Sequence, residues 1–434
     1  MESGFESLPP SQSTRQLNYT TTAAIARSLN LRHSSFATLS PVNDRAPATH
    51  DLGARRVVRA LVASQIREVA NAGMGEPDIL PFWFGEPDEV TPEYIRNAAV
   101  ASIAAGETFY TPNLGLPELR EAIAGYVTWL RRPVAAGNVA VTSSGMNALM
   151  LTVQALVNPG DRVVCVTPLW PNLTEIPKIL GAEVVRVGLQ FGEKGWRLDA
   201  ERLLGALVPG TRAVMINSPN NPTGWVLERE EQEAILAHCR KHGIWIIADD
   251  VYERLYYAGE RAPSFLELAD AADRVVSTNS FSKAWQMTGW RLGWIVAPPA
   301  LMPDLGKLIE YNTSCAPAFV QRGGVVAITD GEPTVQRTLG RFRAARDFLV
   351  AQLAALGGVD VATPPGAMYV FFRVEGVEDS LDFCQRLVHE ARLGLAPGSA
   401  FGPEGEGFLR WCFAATQERL TEGVRRLARY LKLQ

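Results

Sequence analysis

The sequence predicts an α/β protein: a large domain with a mainly parallel sheet flanked by helices, plus a smaller α+β domain. From about residue 95, short apolar runs alternate with amphipathic helical patterns, which is how strands joined by helical crossovers read. After about residue 325 the alternation stops, and a long charged helix is followed by two strands and a last helix. At 434 residues the chain also exceeds the size at which a single hydrophobic core stops growing, which favours two domains.

Residues 1–50 contain fourteen Ser or Thr and no sustained apolar period, and read as a polar, mobile arm. Arg15, Arg27, Arg32 and Arg45 resemble the arginines of a transit peptide, but Glu2 and Glu6 argue against one. A helical pattern over Val57 to Ala72 follows, then the turn-rich Gly85, Glu86, Pro87 and Asp88, a hinge or cleft edge. Residues 51–94 are grouped with 326–434 as the small domain, leaving 95–325 as the large one. In the large domain the predicted strands are Val139–Thr142, Arg162–Val166, Glu183–Val187, Arg212–Ile216, Ile244–Ala248, Arg274–Thr278 and Leu292–Ala297. Helical spacing covers Leu116–Leu130, Met146–Leu156 and Glu228–Lys241, the last ending at Gly243. Beyond residue 325 come a helix through Arg341–Leu356, strands at Met368–Arg373 and Leu409–Phe413, and a helix over Glu418–Leu431. There is no internal repeat and no GxGxxG fingerprint.

Composition excludes several classes. With 47% hydrophobic and 20% charged residues and a net charge of −4, the chain offers no footprint for nucleic acid or an anionic membrane. Its five cysteines are scattered, with no CxxC pair and no histidine at metal-ligand spacing, so they read as reduced core thiols and no metal is expected. The apolar runs are too short to span a bilayer, and a cytoplasmic location is expected.

The segment Ser280–Arg291, just past a predicted buried strand, pairs an amine with hydroxyls and a guanidinium. Lys283 is able to condense with a carbonyl, while Ser280, Ser282 and Arg291 suit a phosphate dianion, and pyridoxal phosphate carries both groups. On its own, a lysine in a Ser-rich loop is more often solvated. Other strand ends add to it, because open parallel sheets do chemistry at the carboxyl ends of their strands. Ser143, Ser144, Gly145 and Met146 open a helix whose free N–H groups favour an anion, although an ordinary N-cap reads the same way. Trp170, between two prolines, is placed to stack on a planar ring or simply to pack. The loop Asn217–Gly224 offers amides, including Asn221, and also satisfies ordinary turn preferences. Asp249 ends an apolar run, with Tyr252 three residues on; a buried carboxylate there needs a cation, and a protonated pyridine nitrogen is one. A capped or solvated aspartate is the plain alternative.

In this order the motifs resemble the class I/II pyridoxal phosphate-dependent aminotransferases, the fold type I group that includes aspartate aminotransferase. The stretches are FGEPDEVTP (84–92), YTPNLGLPELREAI (110–123), SSGMNAL (143–149), PGDRVVCVTPLWPN (159–172), NSPNNPTG (217–224), ADDVYERL (248–255), SFSKAWQMTGWRLGW (280–294), PPGAMYVF (364–371), APGSAFG (396–402) and FLRWCFA (408–414). The resemblance spans roughly residues 55–432. It implies that Lys283 forms a Schiff base with pyridoxal 5′-phosphate, that Asp249 pairs with the pyridine nitrogen, and that Tyr252 and Asn221 bond the ring 3-oxygen. Trp170 would stack on the ring. Ser144, Gly145, Met146, Ser280, Ser282 and Arg291 would hold the phosphate, with Tyr110 reaching it from a second subunit. Arg410 would clamp the substrate α-carboxylate, helped by Asn221 and the backbone of Gly85.

The implied activity is ping-pong transamination between an L-amino acid and a 2-oxo acid, with 2-oxoglutarate as acceptor, in a homodimer. Two departures stand out. Met146 and Asn147 replace a commoner Gly and Lys/Gln pattern, and Asp250 stands where a glutamate is common. A carbon–sulfur β-lyase or an aminocyclopropane carboxylate synthase would share the same groups. An aminotransferase-like transcription regulator would need a basic DNA-binding module, which the polar first 50 residues do not supply. The donor is open; Phe82, Trp83 and Phe84 near the cleft edge suit aromatic or aliphatic donors as well as plain packing.

Overall fold

Seven apolar runs lie side by side in one sheet, in the order Val139–Thr142, Gly293–Val296, Val275–Ser280, Trp245–Asp249, Thr211–Asn217, Arg162–Thr167 and Glu183–Gly188. The computed structural model describes residues 53–432, so the polar arm expected over 1–50 lies outside the described residues. Neighbouring strands are parallel except Gly293–Val296, which runs antiparallel to both strands beside it.

Parallel strands need crossover connections, and these cover both faces with helices. Successive side chains on a strand therefore enter different cores. Val164, Val166, Ile246 and Ala248 point into one, and Val163, Cys165 and Ile247 into the other. The first core is closed by helices Pro117–Leu130, Arg229–His242 and Ala318–Asp330. Gly145–Leu156, Pro171–Ile179 and Met302–Glu310 close the second. Helix Arg229–His242 carries Glu230 and Glu231 in its first turn and Arg240, Lys241 and His242 in its last, charges that complement the helix dipole.

A second, antiparallel sheet joins Val359–Asp360, Tyr369–Val374, Phe408–Cys412 and Ala396–Pro397 in that order. Its core draws on Ile66 to Trp83 near the start of the described chain and on Leu339 to Tyr430 near its end. From Ala54 onward the described chain forms one unit. Among the described residues no helix is long and apolar enough to cross a membrane, and no cluster of three or more metal-ligating side chains occurs.

The helix expected over Val57–Ala72 divides into Arg56–Arg59 and Gln65–Gly73. Ser64 starts the second piece, its hydroxyl accepting from the Arg67 N–H at 3.3 Å. The first piece buries nothing, and Val62 beyond it is 78% exposed, so packing gives the continuous helix no support. The helix expected from Arg341 begins earlier, at Glu332, with a proline in its first turn.

Candidate active site

The carboxyl ends of the parallel strands, together with Arg410 from the antiparallel sheet, enclose a cavity of about 620 Å³. This is the end of an open α/β sheet where ligands are accommodated. Lys283, Asp249, Tyr252, Asn221, Trp170, Ser280, Ser282, Arg291, Gly145, Met146, Gly85 and Arg410 all line it. Two expected residues do not. Ser144 serves as the N-cap of helix Gly145–Leu156, accepting from the Asn147 N–H at 3.0 Å. Tyr110 is 90% exposed and lies away from the cavity wall.

One end of the cavity is built for an anion. The helix Gly145–Leu156 opens there, so the N–H groups of Gly145 and Met146 have no acceptor within the helix. A side chain at position 145 would bring a Cβ to 2.9 Å from the Ser280 Cβ, so glycine is what lets the helix start abut the strand end. Ser144 holds φ at 138°, a conformation that L residues rarely adopt and that costs about 1–3 kcal/mol. On the strand end that the helix start abuts, one strand removed in the sheet, the Ser280 hydroxyl donates to Ser282 Oγ at 2.9 Å and accepts from the Ser282 N–H at 3.1 Å. The Arg291 guanidinium donates to the Thr288 carbonyl at 2.7 Å and has no carboxylate partner among the described residues.

The middle holds the titrating groups. Burial, and next the neighbouring Asp250 carboxylate, push Asp249 up to about 7. Asn217 fixes the Asp249 carboxylate by donating to Oδ2 at 3.2 Å. Lys283 donates to the Gly85 carbonyl at 2.5 Å, and burial lowers its ammonium to about 8. A substantial fraction of the amine is therefore neutral and nucleophilic near physiological pH. Tyr252 shares a hydrogen bond of 2.7 Å with the Tyr369 hydroxyl, and burial raises it well above the usual phenol range. Trp170 closes this part, its backbone N–H donating to the Asn221 backbone carbonyl at 2.9 Å.

At the far end Arg410 is 2% exposed. It donates to Asn221 Oδ1 at 3.0 Å and to the Trp83 carbonyl, and lies 4.5 Å from the Tyr369 ring centroid. Its Nε is buried without an acceptor. A buried guanidinium without an acid is an incomplete site for a carboxylate. The donor set as a whole, an anion cradle, a poised amine, a buried acid in need of a cation and an arginine fork, fits a planar phosphate-bearing aldehyde with a ring nitrogen, alongside a carboxylate substrate.

Sequence reasoning gave no role to several wall residues, among them Tyr369, Thr288 and Arg67. Tyr369 lies in a stretch quoted for the family resemblance, so a signal was present without a role attached. Thr288, the partner of Arg291, lies in another such stretch (280–294), whereas Arg67, whose guanidinium lies 4.7 Å from the Phe84 ring centroid, gave no signal.

Comparison with known proteins points to a family. The chain is similar to an aspartate aminotransferase of Thermotoga maritima, 37% identical over 82% of this chain and 92% of that one. It is also similar to aromatic-amino-acid aminotransferase 2 of Thermococcus litoralis, 31% identical over 85% of this chain and 96% of the relative. Among solved structures, an alanine aminotransferase from Pyrococcus furiosus superposes with a TM-score of 0.82 at 26% identity, covering 88% of this chain and 100% of that one. The family model for aminotransferase class I and II matches residues 77–427, and with relatives matched over nearly their whole length this chain belongs to that family of transaminases.

Proposed function

We propose that this chain moves an amino group from an L-amino acid to a 2-oxo acid, with pyridoxal 5′-phosphate held in the 620 Å³ cavity. The observation that carries the reading is Lys283, lowered to about 8 and facing the same cavity as the buried Asp249 and the incompletely bonded Arg410. When bound, the cofactor supplies an aldehyde that condenses with amines and a protonated ring that draws electrons from the substrate α-carbon. Asp249, oriented by Asn217, keeps the ring nitrogen protonated. Tyr252 and Asn221 donate to the 3-oxygen, and Trp170 covers the ring face. Ser280, Ser282, Arg291 and the N–H groups of Gly145 and Met146 hold the phosphate. Arg410 forks onto the substrate α-carboxylate, next to the Gly85 backbone.

Lys283 then acts as base and acid in turn, its Nζ taking the proton from the substrate α-carbon and giving it back on the other side of the exchange. The donor leaves as a 2-oxo acid before the acceptor enters, so the kinetics are ping-pong, and family habit makes 2-oxoglutarate the acceptor. Homodimeric assembly is supported by exposed apolar groups away from the cavity, with Tyr110 at 90%, Tyr311 at 90% and Phe109 at 84%. Tyr110 would complete the partner's phosphate site. All five cysteines carry free thiols, which fits a reducing cytoplasm.

The relatives are named for aspartate, aromatic amino acids and alanine, so these are the donors to try first. Holoenzyme mixed with a single donor and no acceptor should release one equivalent of 2-oxo acid per site and stop. Continued release of pyruvate with ammonia from cystathionine, whose β-carbon carries a sulfur leaving group, would instead assign a β-lyase, and no 2-oxo acid from any donor would defeat the proposal.

A further inference from the structure

A second cavity, of about 340 Å³, adjoins the active site, and the segment Phe84–Glu86 contributes to the walls of both. Its lining is mixed, with Met74, Ile79, Phe82, Trp83 and Cys412 forming an apolar side. Three acids border it, and each has a partner. Asp88 accepts from Arg341 at 2.9 Å and from the Thr416 N–H at 2.7 Å. Glu86 accepts from the Thr288 hydroxyl at 2.6 Å, and Glu76 lies 3.9 Å from Arg392.

Arg419 differs from all three. Among the described residues no carboxylate pairs with it, and its Nε is buried without an acceptor. Its guanidinium carbon lies 5.9 Å from the Phe82 ring centroid, at the edge of the apolar space. An arginine held against an aromatic ring presents a planar fork that matches a carboxylate, while the apolar side suits a flat apolar body.

We infer that this cavity is a second ligand site, for a small aromatic monocarboxylate whose carboxylate pairs with Arg419 and whose ring packs among Phe82, Trp83 and Met74. The site is joined to the chemistry by two carbonyls. That of Trp83 accepts from Arg410, and that of Gly85 accepts from Lys283 at 2.5 Å. Occupancy that shifts this backbone moves an acceptor of the substrate-clamping arginine and one of the lysine, so the second ligand changes the affinity for the amino donor, and the donor changes the affinity for the ligand by the same factor.

Phenylacetate is a suitable probe, with binding to holoenzyme followed by ligand-observed NMR and donor KM by initial rates. Saturable binding should persist in Arg410→Gln, weaken by about tenfold in Arg419→Gln, and be blocked by Met74→Trp, a change at a residue 54% exposed and tolerant of bulk. The donor KM of the wild type should shift by about fivefold at saturating probe, and Arg419→Gln should lose that shift while keeping its basal rate. Wild-type affinity in Arg419→Gln, or binding that vanishes in Arg410→Gln yet survives Met74→Trp, would put the probe in the active site and overturn the inference. Absence of saturable binding to the wild type, or an unmoved donor KM, would also overturn it.

Discussion

Asp249 and Asp250 are neighbours at one strand end, 6% and 5% exposed, yet they belong to clusters of opposite character. Alternation along the strand sends them to different faces of the sheet. Asp250 accepts from the hydroxyls of Ser277 at 2.6 Å and Ser264 at 3.0 Å. Close by, Glu253 accepts from Arg131 at 2.8 Å, Asn279 at 2.8 Å and Tyr126 at 3.1 Å, and Arg131 and Arg229 share Glu267. Charge in this cluster is largely matched within the protein: Arg131, Arg229 and Arg261 face Glu253 and Glu267, and Asp250, pushed up to about 6 by burial and then by Glu253, has its two hydroxyls. Around Asp249 it is not: the acid has an amide, Lys283 a carbonyl, and Arg410 an amide oxygen and a carbonyl. Burial without an opposite charge is costly, so the cluster that leaves its charges unmatched is the one arranged for a ligand.

Four experiments would break or sharpen this contrast. Lys283→Ala should lower kcat by about 10⁴-fold, while Asp250→Asn, on the matched side, should leave it within about threefold; steady-state rates on the same donor decide it. Arg131→Met should cost about 3–5 kcal/mol of unfolding free energy by leaving Glu253 buried and unpaired, read by urea denaturation, with donor KM unchanged. Arg410→Gln should do the reverse, raising donor KM by about a hundredfold and moving stability by less than about 1 kcal/mol.

The last effect concerns pH. Lys283 titrates near 8 in the folded protein against a usual 10.5, so between those values the unfolded chain binds more protons and wild-type stability rises with pH. Cofactor-free Lys283→Met should therefore be more stable than wild type at pH 7, by at most about 3 kcal/mol. The advantage should shrink from pH 8 and disappear above about 10.5. An advantage constant from pH 7 to 11 would show that the lysine is not desolvated.

Sequence made the large sheet legible because buried parallel strands are short, apolar and bounded, and because a polar residue that ends such a run is conspicuous, as Asp249 and Ser280 are. Strand direction is not encoded in that pattern, so the reversal of Gly293–Val296 was not expected. Arg410 sits within an apolar run and was identified through family resemblance alone. Tyr369 reads as core, and its hydroxyl finds Tyr252 only across 117 positions of chain. Arg67 looks like any solvated helix cation until Phe84 is set beside it. Tyr110 has the motif of a site residue, yet a single chain leaves it facing outward.

The reversed strand has a consequence for how this protein tolerates change. Gly293 is in register with Ser280 on one side and Thr142 on the other, so the connection Phe281–Leu292 leaves the sheet and returns at the same level. Lys283 and Arg291 both lie on that closed loop. Lengthening a crossover elsewhere would add surface and leave the span between amine and guanidinium alone, whereas one residue inserted between positions 283 and 291 would alter that span with every strand still paired. The loop acts as a gauge, and its length, more than the identity of most of its residues, is what divergence must hold fixed.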